Sequence, residues 1–101
     1  MNSPIEAPNP FNKRAANYNR LKLRTLAAFE KHGWLNPPIF AVITGFYPAR
    51  AAYTYLLRLY RFRLLQRRID ARGLILYGIS RRGRKRLEWL KAKIESKPER
   101  R

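Results

Sequence analysis

The sequence predicts a mainly α-helical domain carrying one small β-hairpin, an α+β class, on three observations. Apolar residues recur at helical spacing in separate stretches. Two short runs able to form strands, 64–69 and 74–79, the second apolar with β-branched and aromatic residues, flank the turn sequence Asp70-Ala71-Arg72-Gly73. Gly and Pro punctuate the joints between these segments. A chain of 101 residues is one domain by size, and a 46% hydrophobic content fills one modest core, which excludes disorder of the whole chain.

Residues 1–17 read as an extended arm, because Ser3-Pro4, Ala7-Pro8 and Asn9-Pro10 each disfavour helix at the proline and before it. Phe11, Lys13 and Arg14 are candidates to pin its end to the body or to phosphate. The folded domain is expected over 18–96 and a frayed charged tail over 97–101. From Asn19, the residues Leu21, Leu23, Leu26, Ala27 and Phe29 form a helical stripe that His32-Gly33 ends. His32 reads as a helix-end residue, with no second titrating group beside it to support catalysis.

Asn36-Pro37-Pro38 signals a cap and first turn, so a short helix is expected over 37–44, presenting Ile39, Phe40 and Ile43 and stopped by Gly45. A third helix follows over about 48–62, its core stripe formed by Ala52, Tyr55, Leu56, Leu59 and Phe62. Its opposite face shows Arg50, Ala51, Tyr53, Thr54, Leu57, Arg58 and Arg61, short and basic enough to approach a groove closely. Two helices joined around a Gly make the angle of a helix-turn-helix. The hairpin that follows turns at Gly73, which supplies a positive φ, and Arg67, Arg68 and Arg72 make it a basic wing. Ser80 caps a last helix over 81–96 with Leu87, Leu90 and Ile94 on its apolar stripe and Trp89 alongside. Arg81, Arg82, Arg84, Lys85 and Arg86 at its start oppose the helix dipole, so an outside anion explains them better than helix stability does.

Lys and Arg number 23 against 6 Asp and Glu, a formal charge of +17. An excess of that size repels itself and is relieved by a polyanion, nucleic acid first. An anionic membrane surface competes, since YLLRLYRFRLL alone is a basic amphipathic helix, but the strands and turns after it argue for a folded domain. The chain has no Cys and one His, which exclude a thiol nucleophile, disulfides and the usual zinc sites, and no apolar run reaches membrane-span length. No nucleophile–base pair, phosphate-cradling loop or metal spacing appears, so no enzyme, metal or cofactor is expected. The expected location is the cytoplasm, at the nucleoid in a prokaryotic host.

Residues 20–95 resemble the winged helix-turn-helix domain of MarR-like and PadR-like transcriptional regulators. The family's Leu-x-x-x-Gly-Leu-x-x-Arg at the end of the reading helix is matched by Leu59-Tyr60-Arg61-Phe62-Arg63-Leu64-Leu65-Gln66-Arg67. Its Leu-Thr-x-x-Gly-Arg is matched by Ile79-Ser80-Arg81-Arg82-Gly83-Arg84. Arg63 stands where the family has Gly, and Tyr47 where it has a capping Ser or Thr. The resemblance implies double-stranded DNA as partner, with the third helix in the major groove. Arg50, Tyr53 and Thr54 are then the base readers; Arg58, Arg61, Arg67, Arg68, Arg72, Arg81, Arg82 and Arg84 contact the backbone or place the wing. It also implies a homodimer, for which Leu87, Trp89, Leu90 and Ile94, with Phe11, are the candidate seam. Structured RNA or a ribosome, and sequence-neutral architectural DNA binding, are the alternative partners and roles that the charge equally allows.

Overall fold

The computed structural model describes the backbone of residues 10–95 and the side chains of residues 17–94. The order is α1 (Pro10–His32), α2 (Pro37–Thr44), α3 (Ala51–Arg61), β1 (Leu65–Ile69), β2 (Ile75–Ile79) and α4 (Arg81–Glu95). This is a winged helix-turn-helix, mainly α with one antiparallel hairpin.

The first helix starts earlier than the sequence suggests. Pro10 opens it, and proline at a first helical position loses no hydrogen bond because that N–H has no intrahelical acceptor. Residues 10–17, expected as extended arm, are therefore helical; the arm before Pro10, the side chain of Phe11 and the tail 97–101 lie outside the described residues. The helix stops at Gly33, φ +82°, whose N–H reaches the Phe29 carbonyl at 2.8 Å.

The second helix has the expected bounds for the expected reasons. The Asn36 side chain accepts the Ile39 N–H at 2.9 Å, and Gly45 at φ +75° closes the other end on the Ala41 carbonyl. Of Ile39, Phe40 and Ile43 only Phe40 faces inward; Ile39 and Ile43 are exposed, as is Val42. The third helix is entered through a tighter turn, in which the N–H groups of Ala51, Ala52 and Tyr53 bond three residues back to Pro48, Ala49 and Arg50. Neither Tyr47 nor Arg50 caps it with a side chain. At its far end Phe62 is exposed rather than on the core stripe, and Leu64 takes the buried place.

An aromatic column fixes the helix-turn-helix angle. Phe29 of α1 stacks on Phe40 of α2 at 5.4 Å, Phe40 meets Phe46 in the turn at 5.7 Å, and Phe46 stacks on Tyr55 of α3 at 5.4 Å. Leu26, Leu56, Leu59, Leu65, Leu87 and Leu90 close the core around it.

The wing is joined to this body at two glycines. β1 and β2 pair from Leu65↔Ile79 to Ile69↔Ile75, and Leu35 adds a single bridge to the free edge of β2 through reciprocal 2.9 Å hydrogen bonds with Tyr77. The Trp34 ring lies against Gly78 where a Cβ would stand. A Cβ on Gly83 would drive into the Leu64 carbonyl, which accepts the Ser80 N–H at 3.1 Å. The Ser80 hydroxyl accepts the Gly83 N–H at 2.9 Å, capping α4, and donates to the Arg63 carbonyl at 2.6 Å. One serine thus ties the exit of α3 to the start of α4.

Candidate nucleic-acid interface

No Asp or Glu occurs between residues 31 and 69, so α3 and β1 contain cations without a carboxylate of their own, and the uncharged α2 adds none. Elsewhere, Glu30 is engaged by Arg84 at 3.7 Å and Lys91 at 3.8 Å. Asp70 is turned into its own loop, where its Oδ1 accepts the N–H groups of Arg72 at 2.8 Å and Leu74 at 2.9 Å. The Leu74 amide, then the Arg72 amide and charge, hold that carboxyl below its ordinary value. The positive field over the helix-turn-helix is not neutralised by its own elements.

Arg50, Tyr53 and Thr54 are all exposed on the first turns of α3. That helix has no acid in its first turn, so the positive end of its dipole adds to Arg50. The Arg50 side chain makes no capping hydrogen bond to the helix. Arg61 is exposed near the helix end, while Arg58 donates to the Tyr18 hydroxyl of α1 at 3.0 Å. Lys22 sits 5.5 Å from the centre of that Tyr18 ring, bringing α1 to the edge of the basic face.

On the wing the arginines are differently held. The Arg67 guanidinium lies 4.3 Å over the Tyr60 ring and that of Arg68 4.1 Å over the Trp34 ring. A stacked guanidinium keeps its N–H edge available while losing torsional freedom. Arg72, in the exposed turn, has no such support. Arg81 and Arg82 are exposed at the start of α4. Close by, Arg61, Arg63 and Ser80 border an open cleft of about 410 Å³.

Two groups of expected residues need correction. Arg84 faces Glu30 of α1 rather than open solvent alone, so it belongs to the α1–α4 contact as much as to a phosphate clamp. Leu87 and Leu90 are 1% and 0% exposed and already packed in the core, so they do not form a seam with Trp89. Trp89 is exposed on another side of α4, with Arg86 and Lys93 within about 5 Å of its ring centre. Ile94 is half-buried.

Under α3 the Tyr55 hydroxyl is buried beside the Thr25 hydroxyl, and neither makes a hydrogen bond of good geometry. Burial pushes the Tyr55 phenol up to about 12. Sequence reading placed Tyr55 in the core but missed this pair, and missed Tyr18 and Lys22 as neighbours of the basic face. The acid-free span between residues 31 and 69 was the signal available in the sequence.

The architecture and its basic face define a winged helix-turn-helix domain. Solved structures share that fold: the YusO protein from Bacillus subtilis superposes with a TM-score of 0.68 at 22% identity, over 74% of this chain and 54% of that one. MepR, a transcription regulator of the Staphylococcus aureus multidrug efflux pump MepA, gives 0.65 at 21% identity, over 74% and 56%. A probable transcriptional regulator from Pseudomonas aeruginosa gives 0.66 at 22% identity, over 91% and 80%. The chain thus spans little more than half the length of the first two. No protein-family model and no curated protein matches the sequence.

Proposed function

We propose that this protein binds double-stranded DNA and regulates transcription. The helix Ala51–Arg61 enters the major groove, and the arginine-bearing wing contacts the flanking backbone or minor groove. The carrying observation is the exposed, acid-free face of α3, with Arg50, Tyr53 and Thr54 at its start, on a fold shared with transcription regulators. Arg50 suits bidentate recognition of guanine; Tyr53 and Thr54 suit hydroxyl contacts or a thymine methyl. Arg61, Arg72, Arg81 and Arg82 suit phosphate contacts, with Arg67 and Arg68 as pre-oriented ones. The nucleoid is the corresponding location. No described helix is long and apolar enough to cross a membrane.

The test is selection of bound duplexes from a random pool at fixed salt, followed by the same selection with Arg50→Ala and Arg72→Ala. Arg50→Ala is expected to relax one position of the motif, at about 1–3 kcal/mol of discrimination. Arg72→Ala is expected to weaken all sequences alike and to reduce the salt slope by about 1. A palindromic motif would establish a two-fold dimer on two half-sites. Equal, sequence-independent losses from both variants would remove Arg50 as a reader. Stronger competition by duplex RNA than by duplex DNA would overturn the DNA reading, because an A-form major groove does not admit a helix.

A further inference from the structure

The end of the wing is apolar where a phosphate contact would be polar. Ile69, Leu74 and Ile75 are 67%, 44% and 40% exposed, and they surround the turn that carries Arg72. Ile69 and Ile75 are the last pair of the ladder, directly beside the turn.

This end is also braced. Besides the two N–H groups on the Asp70 carboxylate, the Asp70 N–H bonds the Leu74 carbonyl at 2.9 Å and the Gly73 N–H bonds the Asp70 carbonyl at 3.0 Å. Gly73 takes the required φ of +86°. Four hydrogen bonds in five residues hold Leu74 at a fixed place beside Arg72. The tip also faces the reading helix: Leu74 and Ile75 line a cleft of about 300 Å³ with Tyr53 of α3 and Pro37 and Pro38 of α2. A duplex lying against α3 therefore meets the tip.

We propose that the wing tip is a minor-groove wedge, in which Arg72 draws the tip to the narrow groove and Leu74, backed by Ile69 and Ile75, partly unstacks a base step and kinks the duplex. The inference rests on the DNA-binding reading and adds bending to it. A +17 chain with Arg67 and Arg68 immediately behind the tip is complementary to DNA. With α3 in the major groove, the wing reaches the adjacent minor groove, where aliphatic side chains act by insertion between bases. A rigid turn is what such insertion needs, since a loose one would fold Leu74 back on the strand.

The experiment is ligase-catalysed ring closure of a duplex of about 120 bp, shorter than the DNA persistence length, at saturating protein. A second readout is the fluorescence of 2-aminopurine placed at pyrimidine–purine steps, with binding followed separately by anisotropy. The wild type is expected to raise ring closure by about tenfold or more and to brighten the probe. Leu74→Ala is expected to bind yet lose both effects at saturation; Leu74→Ile, still a wedge, is expected to keep them. Wild-type binding without ring closure, or unchanged closure by Leu74→Ala, would overturn the wedge and leave DNA binding standing. Loss of self-association in Leu74→Ala by sedimentation, with no change in closure, would assign the tip to a contact between copies instead. Failure of the wild type to bind any duplex would overturn both readings.

Discussion

The start of α3 and the first strand of the wing are both basic but hold their arginines in different ways. On α3, Arg50 projects without a bonding partner among the described residues, at the end where the helix dipole is positive. On the first strand of the wing, Arg67 and Arg68 are laid on Tyr60 and Trp34, and the tip is braced by Asp70. A guanidinium without such support keeps its full set of rotamers. A stacked one has fewer rotamers to lose, so it suits a contact whose place is the same on every sequence. The difference teaches that positive charge here is divided between adaptable and pre-set groups, and that the joint between α3 and the wing must keep the two in register.

Breaking that joint should have the largest effect. In Gly83→Ala the new methyl meets the Leu64 carbonyl oxygen and the Ile79 side chain, both fixed by the strand and by the Ser80 N–H. A loss of about 3 kcal/mol is expected in urea unfolding, because backbone cannot move aside as a side chain would. Stability equal to wild type would mean that α4 does not enter against Leu64 as described. Gly78→Ala, against the Trp34 ring, tests the wing side of the same joint.

The next largest effect belongs to α3 alone and appears with pH. Tyr55 titrates near 12 in the folded state against about 10 when unfolded. Between those values the folded protein holds a proton that the unfolded chain releases. Stability is therefore unaffected below pH 10 and falls as pH rises toward 12, by about 2–3 kcal/mol. Tyr55→Phe should flatten this decline and change little at pH 7, since the hydroxyl it removes has no well-formed hydrogen bond. Urea unfolding of both proteins at pH 7 and pH 11.5 checks it; an equal alkaline decline in the variant would place the titrating group elsewhere.

Much of this arrangement was legible in the sequence. Asn36, Gly45, Gly73 and Ser80 act locally, through a cap or a positive φ, and they set the ends of α2, the wing turn and α4 as read. The start of α1 was not legible, because Pro10 reads as a breaker or as a first-turn residue equally well. Nor was the Leu35 bridge, a single pairing with no period to betray it. The site was harder because its distinctions are long-range. Arg84 looked like a phosphate ligand until Glu30 was beside it, and Arg68 like a free charge until Trp34 lay beneath it. The stripe of Leu87, Leu90 and Ile94 was correctly apolar, but only packing shows that its leucines are spent on the domain's own core.

The smallest effect sharpens the comparison at the point where helix becomes wing. Arg63 has φ +66°, a conformation that costs a side-chain-bearing residue about 1–2 kcal/mol and glycine almost nothing. It is held there by its own N–H on the Tyr60 carbonyl at 2.9 Å and by the Ser80 hydroxyl on its carbonyl. Arg63→Gly relieves that strain but also frees the unfolded chain, which returns about half of the gain. A net stabilisation of about 0.5–1 kcal/mol is expected in thermal unfolding. DNA affinity then decides what the arginine is for. Its side chain borders the cleft with Arg61 and Ser80, so if it meets a phosphate, Arg63→Gly weakens all duplexes alike and lowers the salt slope by about 1. A more stable protein with weaker, equally selective binding would show that Arg63 gives up local backbone comfort for a charge at the hinge between the adaptable helix and the pre-set wing.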